Sequence, residues 1–217
     1  MSDAAEAQVK RPRAQVVAAV LAAVLLLAAG ILLGRFVFPP ATSTPSTTSA
    51  EAGFARDMQV HHQQAIEMST IIREKSDSEE IRTLAYDIAT SQGQQVGQMF
   101  GWLTMWKLPQ ASAEPPMTWM IQPTLDGTPS HTGSAHLSDM TMMGMATFEQ
   151  MEELKSSADG SDAIFLELMI AHHTGGVEMA QALLERSTNE VVTSLAERMV
   201  LTQKSEISYM NELLASI

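Results

Sequence analysis

The chain repeats itself. Residues 54–103 align with residues 165–214 without a gap, at a shift of 111, and 14 of 50 positions are identical. Average residue usage would give about three such matches by chance. The matched positions include Phe54/Phe165, Met58/Met169, His61/His172, His62/His173, Glu67/Glu178, Met68/Met179, Gln92/Gln203 and Met99/Met210. A duplicated unit must fold the same way twice, and the two copies must bury the same face against each other. Neither copy contains proline, and Leu84, Ala85, Ile88, Gln92, Met99 and Leu103 trace a mostly apolar stripe at three- and four-residue spacing. Each copy therefore reads as a helical hairpin. The expected helices in the first copy are 51–75 and one that opens at the Ser76–Glu79 box and runs to about 106, and those in the second are 162–186 and 188–215. Thr48 with Glu51, Ser76 with Glu79 and Ser187 with Glu190 have the spacing of capping boxes. Two hairpins of long helices predict an all-α fold, a four-helix bundle with a pseudo-twofold axis.

The rest of the chain is arranged around that pair. Residues 107–160 form a crossover between the repeat units 54–103 and 165–214, rich in proline up to Pro129 and with a short helix expected over 138–156. A connection that long is uncommon without a role. At the other end, residues 15–38 are almost wholly apolar and long enough to cross a bilayer. Lys10, Arg11 and Arg13 precede them, which places residues 1–14 in the cytoplasm and the C-terminal domain outside. A cleaved signal peptide is the alternative. The lack of a small-x-small site directly after the apolar run favours a retained anchor. Residues 39–50 are a Pro/Ser/Thr linker, and the domain proper is 51–217. Residues 39–217 carry a net charge of −14, which disfavours nucleic acid and attracts cations. With no cysteine, disulfides and thiolate metal sites are excluded.

Candidate chemistry centres on "MQVHHQQAIEM" and its counterpart "MIAHHTGGVEM". Adjacent side chains on a helix point about 100° apart, so one histidine of each pair can face its own methionine while the other reaches across to the opposite unit. Met58 lies three and four residues before His61 and His62, and Met169 does the same for His172 and His173. Each thioether thus sits one turn below both imidazoles. Four residues after the first histidine both copies have a small residue, Ala65 and Gly176, which leaves room for an ion or a partner helix. Imidazole with thioether is a soft-to-borderline donor set that suits Cu(I). Met140, Met142, Met143 and Met145 form a possible second soft-metal site, or else an apolar lid. Met68, Met99, Met179, Met199 and Met210 read as core packing. Asp57, four residues before His61, is a candidate to orient it. Glu67 and Glu178 are either solvated or support the histidines across a helix interface. His131 and His136, in or beside the crossover, read as surface residues.

The pairing of "FARDMQVHHQQAIEMS" with "FLELMIAHHTGGVEMA", and "MMGM" between them, resembles the DUF305 family over about residues 51–217. The resemblance implies a ferritin-like helical domain, secreted or membrane-anchored, associated in some members with copper binding and copper tolerance. It implies that His61, His62, His172 and His173, with Met58 and Met169, form the functional centre. The second copy carries the whole family pattern as "FLELMIAHH"; in the first, Gln59 replaces the apolar neighbour of the methionine. The expectation is therefore a membrane-anchored, extracytoplasmic protein that binds copper as Cu(I), and not an enzyme. No Glu-x-x-His occurs anywhere in the chain, which disfavours a di-iron enzyme. A metal-free module that docks an unidentified protein partner is the other alternative.

Overall fold

The computed structural model describes residues 13–37, 44–128, 142–158 and 160–217. The chain divides into two units at Ser43. Among its described residues the first holds one helix, α1 (Arg13–Val37), in which Gln15–Leu33 has a mean hydropathy of 3.0. At about 1.5 Å per residue this helix is long and apolar enough to cross a membrane.

The second unit contains the two expected hairpins. The first is α2 (Ala50–Lys75) and α3 (Glu79–Met105); after the crossover and a short α4 (Phe148–Ser156), the second is α5 (Ser161–Leu184) and α6 (Glu190–Leu214). Among the described residues there is no strand. Each hairpin packs tightly within itself, and α2 packs against α5 to join them.

The core falls into two clusters. One gathers the N-terminal half of α2 and the C-terminal half of α5, with Phe54, Met58, Met179 and Leu183, against Met99 and Leu103 of α3 and Leu195 and Met199 of α6. The other gathers the C-terminal half of α2 and the N-terminal half of α5, with Met68, Ile72, Phe165 and Met169, against Leu84 and Ile88 of α3 and Met210 of α6. The inner helices therefore run in opposite directions, and Phe54 and Phe165 occupy equivalent places at opposite ends. Burying side chains of this size stabilises by about 1.5–3 kcal/mol each. Met68, Met99, Met179, Met199 and Met210 are all buried in these clusters, as core packing requires.

The helix starts differ from expectation in an instructive way. The N-caps are Ser49, Ser78 and Asn189, whose side chains accept from Ala52 N, Ile81 N and Val191 N. Ser76 and Ser187 instead stand two residues earlier, where each hydroxyl accepts the backbone N–H of the following cap at 3.1 Å. Glu51 makes no capping box with Thr48, because its carboxylate accepts from Ser187 Oγ at 2.6 Å and so ties the two hairpins together. Ser78 and Asn189 are themselves equivalent under the 111-residue shift, and both are strong N-cap residues.

The crossover is pinned to the bundle at several points. Trp119, in a 3-10 turn (Thr118–Ile121), meets Phe54 edge-on with ring centroids 5.9 Å apart. Gly53 lies under that indole, where a Cβ would overlap the ring. The matched cations Lys75 and Arg186 each hold crossover carbonyls: Lys75 Nζ donates to Leu154 O and Lys155 O, and Arg186 Nε to Gln122 O. α4 begins at Phe148, inside the expected 138–156, with a true capping box between Thr147 and Gln150. Residues 142–147 cannot join it as helix: Gly144 sits at φ +75°, a left-handed conformation that favours glycine. The remainder of that expectation, with His131, His136 and Met140, lies outside the described residues.

Candidate metal centre

Between the two apolar clusters lies a polar layer. His61, His62, His172 and His173 are all fully buried there. His61 and His172 meet where α2 crosses α5, with ring centroids 3.7 Å apart and planes tilted by 32°. The second histidine of each pair is turned away, 6.3 Å from its neighbour in both copies. The first of each pair thus reaches across to the other unit, and the second faces the outer helix of its own hairpin.

One nitrogen of every ring is committed. His61 Nε2 donates to Met143 O at 3.0 Å, and His172 Nε2 to His61 O at 2.9 Å. His173 Nε2 donates to Glu206 Oε2 at 2.8 Å, and His62 Nε2 pairs with Gln95 Oε1 at 2.7 Å. Carbonyls and carboxylates only accept, so Nε2 carries the proton in the first three. The other nitrogen, Nδ1, is buried without a hydrogen-bond partner in all four rings. Desolvation lowers the pKa of His61 to about 4 and that of His62 to about 3, and holds His172 well below the ordinary value. Neutral imidazoles with Nε2–H engaged present lone pairs at Nδ1. Orphaned buried acceptors are costly, whereas a histidine that donates one N–H to an oxygen and offers the other nitrogen is the usual form of a metal ligand.

The layer continues into the outer helices. Gln92 of α3 and Gln203 of α6 are buried equivalents, and both amide atoms of Gln92 and the oxygen of Gln203 lack partners. The space left by Gly176 is taken by the Gln203 side chain, while Ala65 is packed into the second apolar cluster. Met58 and Met169 are fully buried in opposite clusters on either side of the layer. Among the described residues, no three histidine or carboxylate side chains converge on one point. A cation bound here would take imidazoles in small number, completed by thioether sulfur; a soft monovalent ion tolerates such a shell, and the donor set fits it.

A strap of the crossover closes the layer on one side. Met143 is buried and Met142 and Met145 are half-buried. Gln64 grips the strap through two bonds, accepting from Ala146 N at 2.7 Å and donating to Ala146 O at 2.9 Å. A Cβ on Gly175 would overlap the Met143 carbonyl, and one on Gly144 the Ala171 carbonyl.

The three acidic candidates stand apart from the histidines. Asp57 turns to the crossover, where its carboxylate accepts from Met117 N at 2.7 Å and Trp119 Nε1 at 2.9 Å. Burial raises its pKa in spite of those bonds. Glu67 is exposed and pairs with Lys155 at 3.1 Å, and Glu178 is exposed. The carboxylate that does support a histidine, Glu206, escaped sequence reasoning, as did Gln95. Both lie 33 residues after the second histidine of their copy, and that shared offset is the signal that could have found them.

The family described as "Domain of unknown function (DUF305)" matches residues 51–214. A DUF305 protein from Streptomyces coelicolor is 46% identical in sequence, with a TM-score of 0.68, over 79% of this chain and 95% of its own. A DUF305 fragment from Deinococcus radiodurans is 30% identical, with a TM-score of 0.61, over 82% and 100%. CopM in its Cu(I)-bound form has the same fold at 21% identity, with a TM-score of 0.57, over 77% and 96%. CopM has also been solved in Cu(II)-bound and Ag-bound forms. No curated protein matches the chain.

Proposed function

We propose a function for this chain, which belongs to the DUF305 family: it binds Cu(I) in the buried histidine layer and serves copper buffering or tolerance outside the cytoplasmic membrane. One observation carries the reading. Four imidazoles are packed in a buried layer, each with Nε2 engaged and Nδ1 without a protein partner. His61, His62, His172 and His173 would supply nitrogen, and Met58 and Met169 sulfur. Burial supports a soft, weakly hydrated ion over one that holds its water tightly. The fold shared with CopM, which binds copper and silver, adds support. Met142, Met143 and Met145 would offer a second soft-metal site at the strap; Met140, the fourth residue of that set, lies outside the described residues. The apolar helix α1 would hold the domain at the membrane, N-terminus inside.

The test is a Cu(I) titration of the metal-free full-length chain in detergent against a competing Cu(I) chelator. The wild type is expected to take up Cu(I), and the double variant His61→Ala, His172→Ala to lose at least about 100-fold in affinity, as removal of direct ligands should exceed the 10–100-fold cost of removing their supports. Unchanged helicity by circular dichroism would show that the variant still folds. A wild type that leaves all copper with the chelator would end this reading.

A further inference from the structure

We infer that Glu206 is the counter-charge of the metal centre, so that the two duplicated halves bind unequally and the His173 side takes the first monovalent ion. The inference rests on the metal-binding reading above. Positions 95 and 206 are equivalent under the 111-residue shift. Each side chain meets Nε2 of the second histidine in its copy, at 2.7 and 2.8 Å. One is a neutral amide and the other a carboxylate. The other donors in this layer, the Nδ1 atoms of the imidazoles and the thioether sulfurs, bring no negative charge to an ion. An uncompensated charge in a dry interior is strongly disfavoured. Among the described residues, Glu206 is the carboxylate bonded to a histidine. Its side chain is 18% exposed while that of His173 is fully buried, so it brings negative charge to the edge of the layer without occupying it.

Two consequences follow from the chemistry. A carboxylate accepting from Nε2–H fixes the ring orientation and makes Nδ1 a better donor. With one negative charge, Glu206 would offset a single positive charge on an ion held by His173. One carboxylate matches Cu(I) or Ag(I) and leaves a divalent ion under-compensated. The His61–His62 side, supported by Gln95, lacks this assistance.

Silver ion is a redox-inert monovalent probe. The experiment is a calorimetric Ag(I) titration of the full-length chain in detergent, as wild type, Glu206→Gln and Gln95→Glu. The wild type is expected to show one tight equivalent and a weaker second. Glu206→Gln should weaken the tight equivalent by about 10–100-fold and make the two halves alike. Gln95→Glu should create a second tight equivalent. That gain cannot come from a merely structural loss, so it stands even if Glu206→Gln folds poorly. A wild type that binds Ag(I) with Gln95→Glu adding no tight equivalent, or with a folded Glu206→Gln binding as the wild type does, would overturn the inference alone. A wild type that binds no Ag(I) would sink the metal-binding reading itself, and this one with it.

Discussion

Where the strap crosses the bundle, the first hairpin carries Gln64 and the second, at the equivalent position, Gly175. Gln64 grips Ala146 through both its backbone N–H and its C=O. Gly175 has no side chain, and the Met143 carbonyl lies in the space a Cβ would fill. A single strap cannot lie symmetrically on a twofold bundle, so one copy holds it and the other makes room. The same asymmetry reaches the histidines: His61 donates to the strap at Met143 O, whereas His172 donates to His61 O. At these positions the copies differ where the non-duplicated crossover touches them.

The largest contrast to test lies at the two ends of the core. Phe54→Ala and Phe165→Ala should each destabilise by about 3–5 kcal/mol. Phe54 also meets Trp119 edge-on, so its loss should cost about 0.5–1.5 kcal/mol more. Urea unfolding of the two variants decides the order, and an equal or larger cost at Phe165 would mean that the crossover adds nothing to its end of the core.

Acid tests the layer between them. The folded-state pKa of His61 is about 4, that of His62 about 3, and that of His172 is also lowered. All lie below the unfolded value of about 6.5, so below that pH the unfolded chain binds more protons. The metal-free domain should keep this stabilisation above about pH 6.5 and lose it as pH falls towards 4, by up to about 1.4 kcal/mol per pH unit per histidine. Unfolding midpoints measured between pH 7.5 and 4.5 should fall steeply for wild type and less steeply for His62→Gln. Equal slopes would show that burial does not hold His62 neutral.

The strap itself is the smallest effect. Alanine normally stabilises a helix interior relative to glycine by about 1 kcal/mol. At Gly175 the overlap with Met143 backbone should win and destabilise by about 1–3 kcal/mol. Gln64→Ala, which removes two hydrogen bonds, should cost about 1–3 kcal/mol. Hydrogen exchange should quicken at Met143–Ala146 in both; protection unchanged in Gly175→Ala would contradict the asymmetric docking.

Much of this architecture is legible in the sequence because it is written twice. The hairpins, the inward pairing of the histidines and the core methionines all follow from matched positions. The caps were displaced by two residues because Ser76 and Ser187 have the right spacing to Glu79 and Glu190, yet spend their hydroxyls on the turn before the true caps. Asp57 is in helical register with His61, but the crossover draws it away to Met117 and Trp119. Register within one helix cannot reveal a competitor sixty residues distant. Gln95 and Glu206 were invisible for the opposite reason: they differ, so a search for identities passes over them.

The central claim is that Nδ1 of the buried histidines is the free donor. Nitrogen-15 NMR of the imidazoles in the full-length chain, before and after one equivalent of Cu(I), tests it most directly. The account predicts Nε2–H tautomers for His61 and His172 in the metal-free protein, with copper shifting Nδ1 resonances and leaving the Nε2 protons in place. Protons found on Nδ1, or copper displacing those on Nε2, would contradict it.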